Sequence, residues 1–152
     1  MIKHIVLVDL DHTLRDASRR DHMLAQCRET DDWEYYHSDA IDDEICSDVL
    51  HIIKALQQRG FSIIGITAVP ERYRGINQRW LSYHKIRFDE LLMHKRDFWE
   101  PSGPLKIALA RERFGDDFAN KILVIIDDHP EVIAAFRDTG VTGLQVHGRK
   151  YK

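Results

Sequence analysis

What most constrains this chain is a repeated unit. A short apolar run rich in β-branched residues stops abruptly at polar side chains and hands over to a helical stretch. The run over residues 5–8 (IVLV) stops at Asp9 and Asp11, that over 61–67 (FSIIGIT) ends on Thr67, and that over 122–126 (ILVII) stops at Asp127 and Asp128. Uninterrupted apolar runs of this length suit strands buried on both faces, as in a parallel sheet covered by helices. The intervening stretches read as those helices. From Ile45 the positions Val49, Leu50, Ile52, Ile53 and Leu56 form one face, with Gly60 placed at its end. Pro70 opens a basic helix through residues 71–84, and a short strand is expected near 88–93. Ser102 is a candidate helix cap with Pro104 in the first turn and Gly115 at the exit; Pro130 and Gly140 bracket another helix, and residues 143–148 read as a last strand. Residues 15–44 are polar, contain aromatics and lack clear periodicity. The expectation is a Rossmann-like α/β fold: three layers, α/β/α, around a mainly parallel sheet.

In such sheets ligands sit outside the carboxyl ends of the strands, and right-handed crossovers bring those ends to one edge. Asp9, Asp11, Thr67, Asp127 and Asp128 would therefore converge. Lys106, in the first turn of the expected helix before the fourth strand, can point to the same edge, and the helix dipole does not explain a cation there. Taken singly, Thr67 reads as a structural hydroxyl and Lys106 as a solvated charge. Taken together, four clustered acids repel one another unless a cation is present, and hard oxygen ligands beside phosphate suit magnesium.

Composition excludes other classes. With 22 Lys and Arg against 25 Asp and Glu, the net charge of −3 provides no large basic footprint for duplex nucleic acid, although a chain end or small anion can still bind locally. Cys27 and Cys46 have no metal-binding spacing, and two free thiols fit a reducing cytoplasm. No apolar run is long enough for a membrane span, and the N-terminal run ends in aspartates without a small-residue cleavage site. The expectation is one domain over residues 1–152, in the cytoplasm, with no membrane partner.

These residues resemble the motifs of the haloacid dehalogenase superfamily of phosphotransferases: "DLDHT" for the first, Thr67 in "GITAVPERYR" for the second, Lys106 in "PLKIALARER" for the third, and "IIDDHPEV" for the fourth. A closer resemblance is to the phosphatase domain of bacteriophage polynucleotide kinases and their small stand-alone relatives. It is carried by "DWEYYHSDAIDDE", "PERYR", "FDELLM" and "DDHPEVIAAFRDTGVTGLQV". No kinase loop of the form G-x-x-x-x-G-K-[ST] occurs in this sequence. Three places depart from the group. Ala68-Val69 stands where Gly-Arg is usual, His12 replaces a common glycine, and "HKRDFWE" before Pro101 differs from the usual pattern.

The resemblance implies a fold of haloacid dehalogenase type, with a small cap inserted after the first strand at about 15–44. It implies a magnesium-dependent phosphomonoesterase in which Asp9 is the nucleophile and Asp11 the general acid and base. Thr67 and Lys106 would bind the phosphate oxygens. Magnesium would be held by Asp9, the main-chain carbonyl of Asp11 and Asp127, with Asp128 a ligand or a nearby acceptor. Arg72 and His12 are candidate substrate contacts, each with a plainer reading as solvated or tolerated side chains. Trp33, Tyr35 and Tyr36 can stack on a nucleobase or simply pack the cap, and its acids, Glu29 to Glu44, read as solvated surface. The expected substrate is a nucleotide or a phosphate end of nucleic acid, as for a polynucleotide 3′-phosphatase. The alternatives are a 5′-nucleotidase, another phosphorylated small molecule, or a non-catalytic phospho-receiver. Receivers, however, place the acidic pair after the first strand, whereas here it follows the fourth.

Overall fold

The computed structural model describes residues 2–147. Its centre is β1, Ile5–Val8, with every residue buried. Five strands form one parallel sheet in the order β5-β4-β1-β6-β7, where β4 is Ser62–Pro70, β5 Glu90–His94, β6 Ile122–Asp127 and β7 Thr142–Gln145. Because side chains alternate along a strand, β1 feeds two cores. Val6 and Val8 pack with Val49 and Ile53 of α3 (Ser47–Gln58) and Trp80 and Leu81 of α4 (Arg74–Tyr83). Ile5 and Leu7 pack with Leu105 and Leu109 of α5 (Ser102–Phe114) and Val132 and Phe136 of α6 (Pro130–Asp138). The three layers expected from the alternating pattern are present, and the neighbouring ends of β1 and β6 bring Asp9 to Asp127. No described helix is long and apolar enough to cross a membrane.

Residues 15–45 form a compact excursion between β1 and α3. The two-residue strands β2 (Arg15–Asp16) and β3 (Glu44–Ile45) pair antiparallel and enclose α1 (Leu24–Thr30), α2 (Glu34–Ser38) and two 3₁₀ turns. The fully buried Arg20 ties it together. Its guanidinium donates to both carboxylate oxygens of Asp43, at 2.7 Å to Oδ2 and 3.2 Å to Oδ1, and to the Tyr36 carbonyl at 2.9 Å, and it lies 4.3 Å from the centre of the Tyr36 ring. Trp80 Nε1 donates to the Asp43 carbonyl at 2.8 Å, anchoring the excursion to α4.

Several boundaries differ from expectation. The strand expected to end at Thr67 continues to Pro70, because Pro70 pairs with His94 after a break in register beyond Ile66. Thr67 thus sits where regular pairing stops. Pro70 has extended backbone and is followed by a single turn, so the helix begins at Arg74. Ser102 is the first residue of α5, with Pro101 preceding it, and makes no capping bond. The last strand begins at Thr142, and position 148 of the expected strand lies outside the described residues.

Gly65 of β4 is required by packing: a Cβ there would stand 2.7 Å from both Leu91 Cδ1 and the Phe88 ring. Gly65→Ala is expected to cost about 1–3 kcal/mol by overpacking. The check is a lower denaturant midpoint at unchanged m-value.

Candidate active site

The site is built where β1 and β6 end. Asp9 extends the β1–β6 pairing by donating its N–H to the Ile126 carbonyl at 3.0 Å. Lys106, the fifth residue of α5, is 3 % exposed, and its ammonium reaches Asp9 Oδ1 at 2.8 Å and Asp127 Oδ2 at 2.6 Å. Asp127 Oδ1 accepts from the His129 N–H at 2.8 Å. The buried Thr13 hydroxyl lies 3.1 Å from Asp9 Oδ2 and 3.2 Å from Asp128 Oδ1, while accepting from the Asp128 N–H at 3.0 Å. Its single proton serves one carboxylate at a time. Thr67 is also buried, faces the same cavity and accepts from the Val69 N–H at 3.1 Å.

Asp9, Asp127 and Asp128 are all buried, and one oxygen of each lies within 4.8 Å of the others. Burial and the neighbouring Asp127 push the Asp9 carboxyl up to about 6 even though Lys106 pulls it down. Burial, then Asp9 and Asp127, push Asp128 up to about 8. Burial disfavours the Lys106 ammonium, but Asp127 and Asp9 outweigh it and hold the ammonium charged. Three carboxylates facing one ammonium leave negative charge unbalanced in a buried place, and hard carboxylate oxygens are the donors magnesium prefers. The donor set fits such a cation.

Asp11 is oriented differently. Its carboxylate accepts from Arg15 Nε at 2.6 Å and Arg20 Nη2 at 2.9 Å and stands apart from the three-carboxylate cluster. Burial raises this carboxyl, but the two arginines overcome it and keep it ionised well below the usual range. Sequence reasoning missed both arginines and their shared acid, Asp43. Asp43 is 2 % exposed, a correction to the reading of the cap acids as solvated. Nothing local in the sequence distinguishes a buried arginine from a solvated one.

His12 has left-handed backbone (φ 62°) in the turn that follows Asp11. Its side chain is 7 % exposed, with Nε2 3.5 Å from Asp21 Oδ1, and it lines the cavity. Arg72 lies at the rim, half exposed, 3.5 Å from Asp97. Trp33 and Tyr36 pack edge to face at 5.6 Å, and His37 stacks on Trp33 at 6.1 Å and lies tilted against Tyr73 at 4.6 Å, so these rings form one aromatic cluster. Tyr35 faces away, 82 % exposed. Burial pushes the His37 ring down to about 4. The cavity above the carboxylates has a volume of about 910 Å³.

The sequence family described as the polynucleotide kinase PNKP phosphatase domain matches residues 3–151. Among solved structures, a chain of the Pnkp1/Rnl/Hen1 complex superposes with a TM-score of 0.79 at 24 % identity, covering 95 % of this chain and 46 % of that one. The chain thus spans less than half the length of that relative. A protein described as a haloacid dehalogenase-like hydrolase, from Bacteroides fragilis, superposes at 0.70 with 17 % identity over 97 % of this chain and 90 % of its own. A haloacid dehalogenase-like family protein from Streptococcus pneumoniae does so at 0.65 with 14 % identity over 96 % and 86 %. These are likenesses of fold. No curated protein matches the sequence.

The raised carboxyls set a pH dependence. With the folded values above the ordinary 3.8, the native state binds more protons than the unfolded chain between those limits. The stability this cluster contributes is fully present below about 3.8 and is lost as pH rises through about 6 and about 8. Without divalent metal, the melting temperature should fall between pH 5 and pH 8. Millimolar Mg²⁺ should recover it most at pH 8, and Asp128→Asn should flatten the metal-free slope. Melting curves in chelator and in Mg²⁺ check this.

Proposed function

This chain belongs to the polynucleotide kinase PNKP phosphatase domain family and is a phosphatase of the haloacid dehalogenase superfamily, and from that premise we propose that it removes the terminal phosphate from nucleic-acid ends in the manner of a 3′-phosphatase. The observation that carries the reading is the buried Asp9–Lys106–Asp127 bridge, beside Asp128 and Thr67, at the floor of an open cavity. A chain of the same fold sits in an RNA repair complex, which supports a nucleic-acid end over a metabolite.

In this reading Asp9 attacks phosphorus in line, its Oδ forming a bond to phosphorus as the P–O bond to the leaving alcohol breaks. The residues that would hold magnesium are Asp9, Asp127, the main-chain carbonyl of Asp11, and Asp128; the ion would offset phosphate charge as the carboxylate approaches. Lys106 keeps Asp9 ionised and presents positive charge to the equatorial oxygens, joined by the Thr67 hydroxyl. Asp11 takes a proton from the water that hydrolyses the aspartyl-phosphate; to protonate the leaving oxygen in the first step it must first turn from Arg15 and Arg20 and take up a proton. Arg15 and Arg20 hold Asp11 in its basic form, which suits the second step. Residues 15–45 act as the cap.

The test is a panel of 3′- and 5′-phosphorylated oligonucleotides, mononucleotides and 4-nitrophenyl phosphate with Mg²⁺. Turnover should be fastest on 3′-phosphate ends; mononucleotides as the better substrates would replace this reading with a nucleotidase. Asp9→Asn should lose turnover by several orders of magnitude while keeping the folded circular dichroism spectrum, with a melting temperature shifted by the loss of one partner of the Lys106 bridge. Asp11→Asn should release one equivalent of nitrophenolate in a burst and then stall, because that leaving group departs without a proton whereas hydrolysis still requires the base. A steady rate without a burst would remove Asp11 from the second step.

A further inference from the structure

The loop between β5 and α5 presents two large apolar side chains to solvent at the mouth of the cavity. Phe98 is 55 % exposed and Trp99 80 % exposed, and both line the opening above the carboxylates. An exposed tryptophan on a loop is ordinary when the loop is loose, but this one is fastened. His94, 4 % exposed at the end of β5, holds the loop main chain through both ring nitrogens. Nε2 donates to the Phe98 carbonyl at 2.8 Å, and Nδ1 accepts from the Arg96 N–H at 3.4 Å. Glu100 Oε2 lies 3.3 Å from the same Nε2. The Arg96 guanidinium sits 5.5 Å from the Phe98 ring centre. The buried histidine thus anchors the loop backbone while the rings of residues 98 and 99 remain uncovered.

The surroundings indicate what covers them. The same cavity is also lined by Trp33 and Arg28, from the excursion over residues 15–45, and by Arg72, which lies 3.5 Å from Asp97 of this loop. The cavity is therefore lined by aromatic side chains and arginines from two segments far apart in sequence, together with the carboxylate cluster. Acids are present too: Asp97 is held by Arg72, and Asp31 and Glu131 also line the opening. Flat apolar faces interleaved with guanidinium groups match a single strand, whose bases stack and whose phosphodiesters carry the charge. A duplex hides its base faces and would not use them.

We propose that Trp99, with Phe98, is a stacking platform for a base of the phosphate-bearing strand, so that the enzyme takes single-stranded, 3′-phosphorylated nucleic acid. The proposal rests on the phosphatase reading above and names the substrate contact that the catalytic floor does not provide.

The experiment compares two 3′-phosphorylated single strands of equal length, one with all its bases and one abasic over its last three positions. Both are assayed with the full chain and Mg²⁺, and 4-nitrophenyl phosphate reports the phosphoryl chemistry. Wild type should favour the base-bearing strand about 10-fold in kcat/KM, mainly through KM. Trp99→Ala should erase that preference and Trp99→Phe should retain most of it, with melting temperatures showing that both fold. Equal rates on the two strands in wild type, or an unchanged preference in Trp99→Ala, would overturn the platform and leave the phosphatase reading intact. Hydrolysis of 4-nitrophenyl phosphate with neither strand turned over would overturn the nucleic-acid reading, and the platform with it.

Discussion

The arrangement depends on one buried ammonium. Lys106 bridges Asp9 and Asp127, the terminal acids of two adjacent parallel strands, and none of the three is solvated. Without the lysine, two carboxylates would face each other in a place that cannot hydrate them, and one would be forced to take up a proton. Without the carboxylates, the lysine would shed its proton or its position. The bridge therefore fixes how α5 lies across the sheet edge as well as the ionisation of Asp9. Packing and chemistry share this contact, since Leu105 and Leu109 on the same helix bury into the core beneath it.

A second charge centre lies beside the first and is balanced differently. Around Lys106 there are three carboxyl groups and one cation. Without metal the raised Asp128 carboxyl keeps its proton at neutral pH and leaves an excess of one negative charge. The excess grows to two, the charge a divalent ion would offset, when Asp128 ionises. Around Asp11 and Asp43 there are two buried arginines, Arg15 and Arg20, and the partly exposed Arg19 joins them by pairing with Asp43 and Asp39, so three cations meet three carboxylates without an ion. The first centre has negative charge left to offset; the second pairs its charges internally, with Arg15 Nη1 buried and lacking a hydrogen-bond partner among the described residues. Asp11 belongs to the second by its side chain and borders the first by its place two residues after Asp9. That division separates its proton-transfer role from metal binding. It also ties Asp11 to Arg20, Asp43 and, through the Asp43 carbonyl, Trp80 of α4.

What was legible in the sequence follows from which interactions are local. The strands showed because residues buried on both faces leave no polar position to disguise the run. Asp9, Asp127 and Asp128 showed because acids directly after such runs have few other places to lie. Lys106 showed because its charge opposed the helix dipole. Arg20 and Asp43 stayed hidden because they are 23 residues apart and meet only when the excursion folds. Ser102 misled because the preceding Pro101 already sets the extended backbone from which α5 starts. Thr67 was placed correctly at the end of regular pairing, yet the strand resumes beyond it, because Pro70 finds a partner in His94 that no local pattern announces.

The departures from the resembled family now have a physical sense. Where Gly-Arg is usual after the second motif, Val69 is 5 % exposed and packs in the core against the cap side of the sheet, so no cation projects from that position. Positive charge among the side chains lining the cavity comes instead from Arg28 and Arg72, besides Lys106. His12, where glycine is usual, keeps a left-handed backbone that costs a side chain about 1–2 kcal/mol. It holds that conformation with its ring buried toward Asp21 of the cap. Neither change touches Asp9, Asp127, Asp128 or Lys106: one leaves an apolar side chain where a cation is usual, and the other adds a ring between the Asp11 turn and the excursion over residues 15–45. The carboxylates and Lys106 that carry the proposed chemistry are thus untouched, and both changes fall on the lining of the cavity around them.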